Sequence, residues 1–307
     1  MKNKLFLLLL CLLALSPQLF ASSLLDQSIG TKAMAMGECF TGLSNDINAI
    51  FWNPAGIYNV KNRELNMLMF NSFSDAAVNE LSFGTKLAGR GGAIGIGYCS
   101  FDAGSFEWIS DSNNDGVDET RTLKALTETM TVLGYSNKIA KLSREAQVLV
   151  GVNLKMLSSK LVEQYPASAN AIDVGLLYQY KKEKEFSVGI AVQNLGSGLK
   201  YIEYADPLPM KIRLGFASDI INTYKYSFKI LGDAVNSVKD KRTDISAGAE
   251  YTFAKLLSLR AGYKMGDITK MTAGFGVNVK KIYTINYSME ILGDLETLNQ
   301  FSFGLVF

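Results

Sequence analysis

The 307-residue chain is 48% hydrophobic and 20% charged, with a formal net charge of +2. This composition excludes a disordered chain, and a near-neutral balance, with Lys2 and Lys4 confined to the leader, gives no sign of a nucleic-acid partner. The chain has no histidine, which removes Ser-His and Cys-His nucleophilic sites and histidine metal ligands.

Lys2 and Lys4 precede an apolar run from Leu5 to Leu15, Ser16-Pro17 breaks it, and Leu19-Phe20-Ala21-Ser22-Ser23 offers small residues for cleavage. The pattern predicts a secretory signal peptide over residues 1–21, with cleavage after Ala21 or as late as Ser23. Its apolar core is too short to span a bilayer. Cys11 lies in the middle of that core, so Cys39 and Cys99 are the cysteines of the exported chain.

Residues 22–63 are the one part of the exported chain without a strand-like period. Small residues and glycines (Gly30, Ala33, Ala35, Gly37, Gly42) lead into the polar turn Ser44-Asn45-Asp46, then Phe51-Trp52-Asn53-Pro54-Ala55-Gly56. Asn53 as cap and Pro54 in the first turn predict a helix or turn start. Phe51 and Trp52 give the segment an apolar anchor.

From about Leu65 to Phe307 the period is two. Val148, Val150, Val152, Leu154 and Met156 share one face, and Gln147, Gly151, Asn153 and Lys155 the other. The same division separates Phe186, Val188, Ile190 and Val192 from Glu185, Ser187, Gly189 and Gln193. Later runs repeat it: Ile212, Leu214 and Phe216; Leu257, Leu259, Ala261 and Tyr263; Tyr283, Ile285, Tyr287 and Met289. Successive side chains of a strand point to opposite faces, so each run is a strand with one apolar and one polar face.

Soluble sandwiches alternate too, but three features favour a membrane. The runs are about 10 to 12 residues long, right for a tilted membrane strand. Their polar faces are rich in Gly, Ser, Thr, Asn and paired charges, and Tyr or Phe stands at their ends. The fold expected is all-β: a transmembrane antiparallel barrel of about 14 strands over residues 64–307, with residues 22–63 as an N-terminal plug or hatch. The strands fall near 65–75, 78–88, 92–102, 124–138, 145–159, 170–181, 185–195, 209–220, 224–234, 243–253, 256–266, 270–280, 282–291 and 298–307. Short connections at Ala254-Lys255 and Lys280-Lys281 read as periplasmic turns. Ser105–Arg121, Lys160–Asn170 and Gly196–Leu208 read as longer external loops. Phe301, Phe303, Leu305 and Phe307 share one face of the last strand, as in the terminal strand by which barrel-assembly machinery recognises its clients.

The carboxylates of the polar faces (Asp173, Glu185, Asp219, Asp244, Glu250, Glu290) alternate with Lys155, Lys211, Arg213, Lys225, Lys229, Arg260 and Lys264. A mixed-sign set of this kind reads as ion-paired lumen lining, so no catalytic residue and no enzyme activity are expected. Asp111, Asn113, Asp115, Gly116 and Glu119 match the front of a calcium loop. Its twelfth position is Thr122 where a bidentate Glu belongs, and a solvated external loop is the competing reading. No other cofactor is expected. Cys99 shares a face with Gly95 and Gly97 and should point into the lumen, where a disulfide to Cys39 would tie plug to wall.

The N-terminal segment resembles that of the PorV/PorQ family in the FadL-like barrel superfamily. The residues that carry the resemblance are Gly30 with Ala33 and Met36-Gly37, then Asn45-Asp46-Ile47-Asn48-Ala49, then Asn53-Pro54-Ala55-Gly56. Pro207-Leu208-Pro209 before Ile212-Arg213-Leu214-Gly215 resembles the family's mid-chain strand start, while Glu38-Cys39 departs from its small residues. The resemblance implies a plugged barrel in the outer membrane of a Gram-negative-type bacterium, in contact with its lipid and built by the assembly machinery. FadL-like relatives pass hydrophobic compounds, whereas PorV-like relatives dock secreted proteins in the type IX system. Short loops lean toward transport of a hydrophobic small molecule, with secreted protein cargo as the alternative and a purely structural barrel third.

Overall fold

The computed structural model describes residues 24–71, 76–89, 91–110, 119–182, 184–266, 269–291 and 297–307. The expected signal peptide and four of the five calcium-loop residues, Asp111, Asn113, Asp115 and Gly116, lie outside them. Glu119, the fifth, opens a strand and pairs with Arg121 at 3.2 Å.

The strands are β1 Arg63–Asn71, β2 Ala77–Lys86, β3 Ala93–Asp102, β4 Ser105–Ser110, β5 Glu119–Lys124, β6 Leu126–Lys141, β7 Ala146–Leu161, β8 Tyr165–Tyr180 and β9 Phe186–Gly196. They continue as β10 Leu199–Lys200, β11 Ala205–Asp206, β12 Lys211–Asn222, β13 Tyr226–Ser237, β14 Arg242–Phe253, β15 Leu257–Met265, β16 Lys270–Val279, β17 Tyr283–Ile291 and β18 Leu298–Val306. Fourteen of them close into an antiparallel barrel in the order β1-β18-β17-β16-β15-β14-β13-β12-β9-β8-β7-β6-β3-β2. The ring closes where Leu65 lies opposite Leu305 and Met67 opposite Phe303. Closure leaves no unpaired edge, which is what a sheet in hydrocarbon requires.

Side-chain direction follows the period of two. On β7, Val152, Leu154 and Met156 are exposed on the outside while Gly151, Asn153, Lys155 and Leu157 are buried inside. On β3, Ile94, Ile96 and Tyr98 face out and Gly95, Gly97 and Cys99 face in. The outer surface is therefore a continuous apolar skin of Ile, Leu, Val, Met, Tyr and Phe. A surface of that kind suits lipid and not water. Outward rings pair across the C-terminal strands, Phe275 with Tyr287 at 5.5 Å and Tyr287 with Phe301 at 6.0 Å between centroids.

One end of the barrel carries tight turns. Ala254 and Lys255 both have positive φ, as do Lys280 and Lys281, and each pair is closed by a bond from the next residue's N–H to the carbonyl before the pair. These are two-residue primed turns, whose twist matches that of the strands they join. The opposite, loop end carries the ribbon of β4 and β5 and the small pair β10 and β11. Lys160–Asn170, expected as a long loop, is mostly strand: β7 and β8 run on and meet through 162–164, another primed turn. Glu185 and Lys225, expected in the lumen lining, instead sit exposed in connections.

Residues 24–62 lie inside this wall. The segment is built of short pieces: a 3-10 turn Leu24–Asp26, helical turns Thr31–Met34 and Ala49–Trp52, and a 3-10 stretch Pro54–Asn59. Phe40, Met36, Ile47, Ile50 and Ile57 are fully buried there.

Candidate functional site

Such short helical pieces cannot hold themselves together, since nucleation costs more than one turn returns. The barrel wall holds them instead, and it does so with side chains from strands around the ring. Asp233 on β13 accepts the backbone N–H groups of Thr41 at 2.9 Å and Phe40 at 3.2 Å. Glu64 on β1 accepts that of Ile47 at 3.0 Å. Gln193 on β9 donates to the carbonyls of Phe51 and Trp52, Asn153 on β7 to that of Ile50 and Ser136 on β6 to that of Ala55. Thr272 on β16 takes the N–H of Gly37 at 2.9 Å, and Gln300 on β18 donates to the carbonyl of Ser28. The irregular backbone thus has its polar groups satisfied by protein, the condition for non-helical chain at membrane depth.

Charge adds to this hold. Glu38 takes a left-handed backbone conformation, φ 67°, which swings its carboxylate between Lys264 at 2.8 Å and Lys270 at 2.6 Å. Burial pushes the Glu38 carboxyl upward, but Lys270 and Lys264 outweigh it and hold the group well below the usual carboxylate range. Arg213 lies 4.5 Å from the Trp52 ring centroid and donates from Nε to Thr41 at 3.1 Å. The mixed-sign wall residues pair as well: Asp173 with Lys155, Asp219 with Lys229, Asp244 with Lys264, Glu250 with Arg260, and Glu290 with Lys270, a lysine outside the expected set. Lys211 reaches Asp26 of the segment at 2.7 Å.

Close approach is bought by glycine. A Cβ on Gly151 of β7 would collide with the Pro54 backbone, and one on Gly262 of β15 with the backbone of Gly37. At these points segment and wall touch main chain to main chain, which no other residue allows.

The residues singled out in the sequence gather in this interior. Gly30 packs against Asn48 and Trp52, and Trp52 Nε1 donates to the Ile29 carbonyl at 2.7 Å. Asp46 pairs with Lys32 and accepts the N–H of Asn48, whose Oδ1 accepts from Asn66 of β1. Asn53 is fully buried. Its Oδ1 accepts the N–H of Ala55 and caps the turn that Pro54 begins, while its amide donates to the carbonyls of Thr41 and of Leu176 on β8. Ala55 packs on Leu149 and Leu177, and Gly56 leaves no room for a Cβ against Ser44. Cys39 and Cys99 do not form the expected disulfide; both are free and buried. Cys39 packs with residues of β12 and β13, and Cys99 lies in a different cluster on β3, several strands away around the ring. Burial, reinforced by Asp233, pushes the Cys39 thiol up and leaves it unreactive.

Two open recesses flank the segment. One of about 750 Å³ lies toward the loop end, lined by Asp26, Glu38, Lys155, Lys211, Arg213 and Lys264 among others. The other, about 890 Å³, lies toward the turn end beside Glu64, Asn66, Arg260 and Lys281. Both are polar. A third feature is apolar and filled. At the loop-end half of β1, β2, β3, β6, β7 and β8 the lumen wall is Leu68, Phe70, Val78, Phe101, Met130 and Leu157 with Ala167, Ala169 and Ala171, and Leu24, Leu25 and Ile29 pack into it. Leu199, Leu208 and Tyr201, from the connection between β9 and β12, close over it.

No protein-family model matches the chain, and no curated protein matches it. Solved structures do. The chain is similar over 91% of its length to the toluene transporter TbuX of Ralstonia pickettii, covering 98% of that chain at 13% identity with a TM-score of 0.56. It matches the monoaromatic hydrocarbon channel CymD over 91% of this chain and 97% of that one, at 10% identity and a TM-score of 0.60. A FadL homologue of Pseudomonas aeruginosa matches over 90% and 97% of the two chains, at 10% identity and a TM-score of 0.50. The fold is a FadL-like barrel.

Sequence reasoning did not single out Asp233, Gln193, Ser136 or Glu64 as contacts of the segment. Their signal is present: each is a polar residue on the face opposite the apolar one, in strands whose outward positions are fixed by the period of two.

Proposed function

We propose that this protein is an outer-membrane channel for hydrophobic compounds, with residues 24–62 as its plug. The observation that carries the reading is the apolar basin. A water-filled porin lines its lumen with polar groups. Here the loop-end half of six consecutive wall strands is largely apolar, broken by Glu80, Glu128 and Ser159, and is occupied by the segment's own leucines. Withdrawal of Leu24 and Leu25 would open a greasy surface facing the loop end, able to take an apolar solute from outside. The segment is bound by side chains and not by strand pairing, so it can shift without breaking the barrel. Likeness to structures described as toluene transporters and a hydrocarbon channel supports the same reading. The finer assignment to the PorV/PorQ type rests on Gly30, Met36-Gly37 and Asn53-Pro54-Ala55-Gly56. The test is mass spectrometry of gently extracted protein together with uptake of toluene and a long-chain fatty acid by expressing cells. Bound apolar solute and uptake that falls on Leu157→Asp are expected; an empty lumen with uptake equal to that of cells lacking the protein would sink the proposal.

A second reading, docking of secreted proteins in a type IX system, is favoured by the loop end. Ile109 on β4 and Ile202 and Tyr204 in the connection between β9 and β12 are exposed there, Tyr204 by 88%. Loss of surface proteins bearing C-terminal secretion signals on deletion of this chain, with apolar uptake intact, would select it.

A further inference from the structure

We propose that the mature chain begins at Leu24 and that its new α-ammonium group is buried inside the barrel as the partner of Glu128. Two independent observations meet at this atom. Signal peptidase favours small residues at the first and third positions before the cut. Cleavage after Ala21 puts Leu19 at the third position, and cleavage after Ser22 puts Phe20 there. The Ser23–Leu24 bond alone, within Ala21-Ser22-Ser23-Leu24, has small residues at both, Ser23 and Ala21.

The structure marks the same bond from the other side. Leu24 is fully buried, and its backbone nitrogen donates to Glu128 Oε2 at 2.6 Å. Glu128 is itself 2% exposed, and its other oxygen accepts from Ser159 Oγ at 2.9 Å, with Tyr201 Oη 2.7 Å from that hydroxyl. A bond to a buried carboxylate strengthens further when its donor is charged as well. Hydrolysis supplies the charge: water adds across the amide, the carboxylate leaves on Ser23, and the nitrogen of Leu24 departs as a primary amine that takes up a proton. The same atom that is a neutral donor in the precursor becomes a cation against a buried carboxylate. Processing therefore latches Leu24 and Leu25 into the apolar basin, whatever the barrel passes.

The intact mass of purified, folded protein should correspond to residues 24–307; a chain starting at Ser22 would overturn the proposal. The latch is read by brief acylation near neutral pH, which favours α-amines, followed by peptide mass spectrometry at Leu24. Labelling of the folded protein should be at least roughly tenfold slower than in urea, because reaction waits on local opening. Glu128→Gln should bring the two rates together. Inserting one asparagine after Ser23 keeps the wall intact, displaces the α-amine by about 3.5 Å and should do the same. Protection that persists in the insertion variant, with the mass confirming the extra residue, or fast labelling of the wild type, would refute the pairing.

Discussion

Glu38 of the enclosed segment lies 2.6 Å from Lys270 of the barrel wall, carboxylate to ammonium. With Lys264 on its other oxygen, Glu38 is ionised at any pH above its depressed folded value. A carboxylate whose folded pKa is lowered contributes stability that is fully present above its unfolded value and is lost as pH falls through the folded one. The contribution of Glu38 to seating should therefore be constant from about pH 8 down to about pH 5 and weaken only in stronger acid. Planar-bilayer conductance checks this: the difference in leak between the wild type and Glu38→Gln should stay flat through neutrality and shrink below the ordinary carboxylate range. Glu38→Gln should leak more at neutral pH. A difference that already vanishes between pH 7 and pH 5 would overturn this role of Glu38.

Asn53 satisfies three backbone groups at once, the N–H of Ala55 and the carbonyls of Thr41 and Leu176. Asn53→Ala orphans all three in a site that is fully buried, at ~1–3 kcal/mol for each group that finds no water. Thr41 and Ala55 lie in the enclosed segment, and Leu176 keeps its register with Val150 of β7 and Ile190 of β9 whatever stands at residue 53. The barrel should still assemble and show the heat-modifiable migration of a closed sheet, while its permeability rises. Failure to assemble would make Asn53 part of the folding nucleus and not of a removable plug.

Gly151 and Gly304 form a matched pair, both on barrel strands. A Cβ on Gly151 would run into Pro54, whereas one on Gly304 meets nothing closer than 3.5 Å. Gly304→Ala should leave permeability and stability unchanged to within about 0.5 kcal/mol. Gly151→Ala should fold into the same barrel but push the segment off the wall, read as faster proteolysis within residues 24–62 and higher leak. Equal behaviour of the two variants would show that the segment yields without cost.

The barrel was legible because a half-buried strand writes its two faces into alternate letters, and Ile94-Gly95-Ile96-Gly97-Tyr98-Cys99 does so with almost no noise. Where the strands leave the membrane that signal stops. In Ser158 to Ser168 the run Ser158-Ser159-Lys160 and the pair Glu163-Gln164 break the alternation, so the stretch resembles a loop although β7 and β8 pair through it. The hairpin of β4 and β5 was hidden for the same reason. The interior was legible in kind but not in partner. A polar lumen face and an Asn53-Pro54 cap follow from local chemistry, but the meeting of Thr41 with Asp233, or of Gly37 with Gly262, depends on how the ring closes. Cys39 and Cys99 illustrate the limit. Both face the interior, yet the closure of the ring sets them in separate clusters.

Ile190 sits midway along β9, facing outward, opposite Leu176 of β8 and Leu214 of β12. Its exposure of 44% is contact with lipid if the apolar skin is a membrane surface. Arginine there should then cost ~2–4 kcal/mol, the penalty for a cation near the bilayer midplane. The measurement is urea unfolding of the protein in liposomes. Val279, another outward apolar residue, lies at the turn end of β16, and Val279→Arg should cost less than about 1 kcal/mol because the side chain can reach the interface. The depth dependence is the discriminating result. A soluble barrel would charge both positions alike, since water would meet each arginine equally, and two equal penalties would remove the membrane from the account.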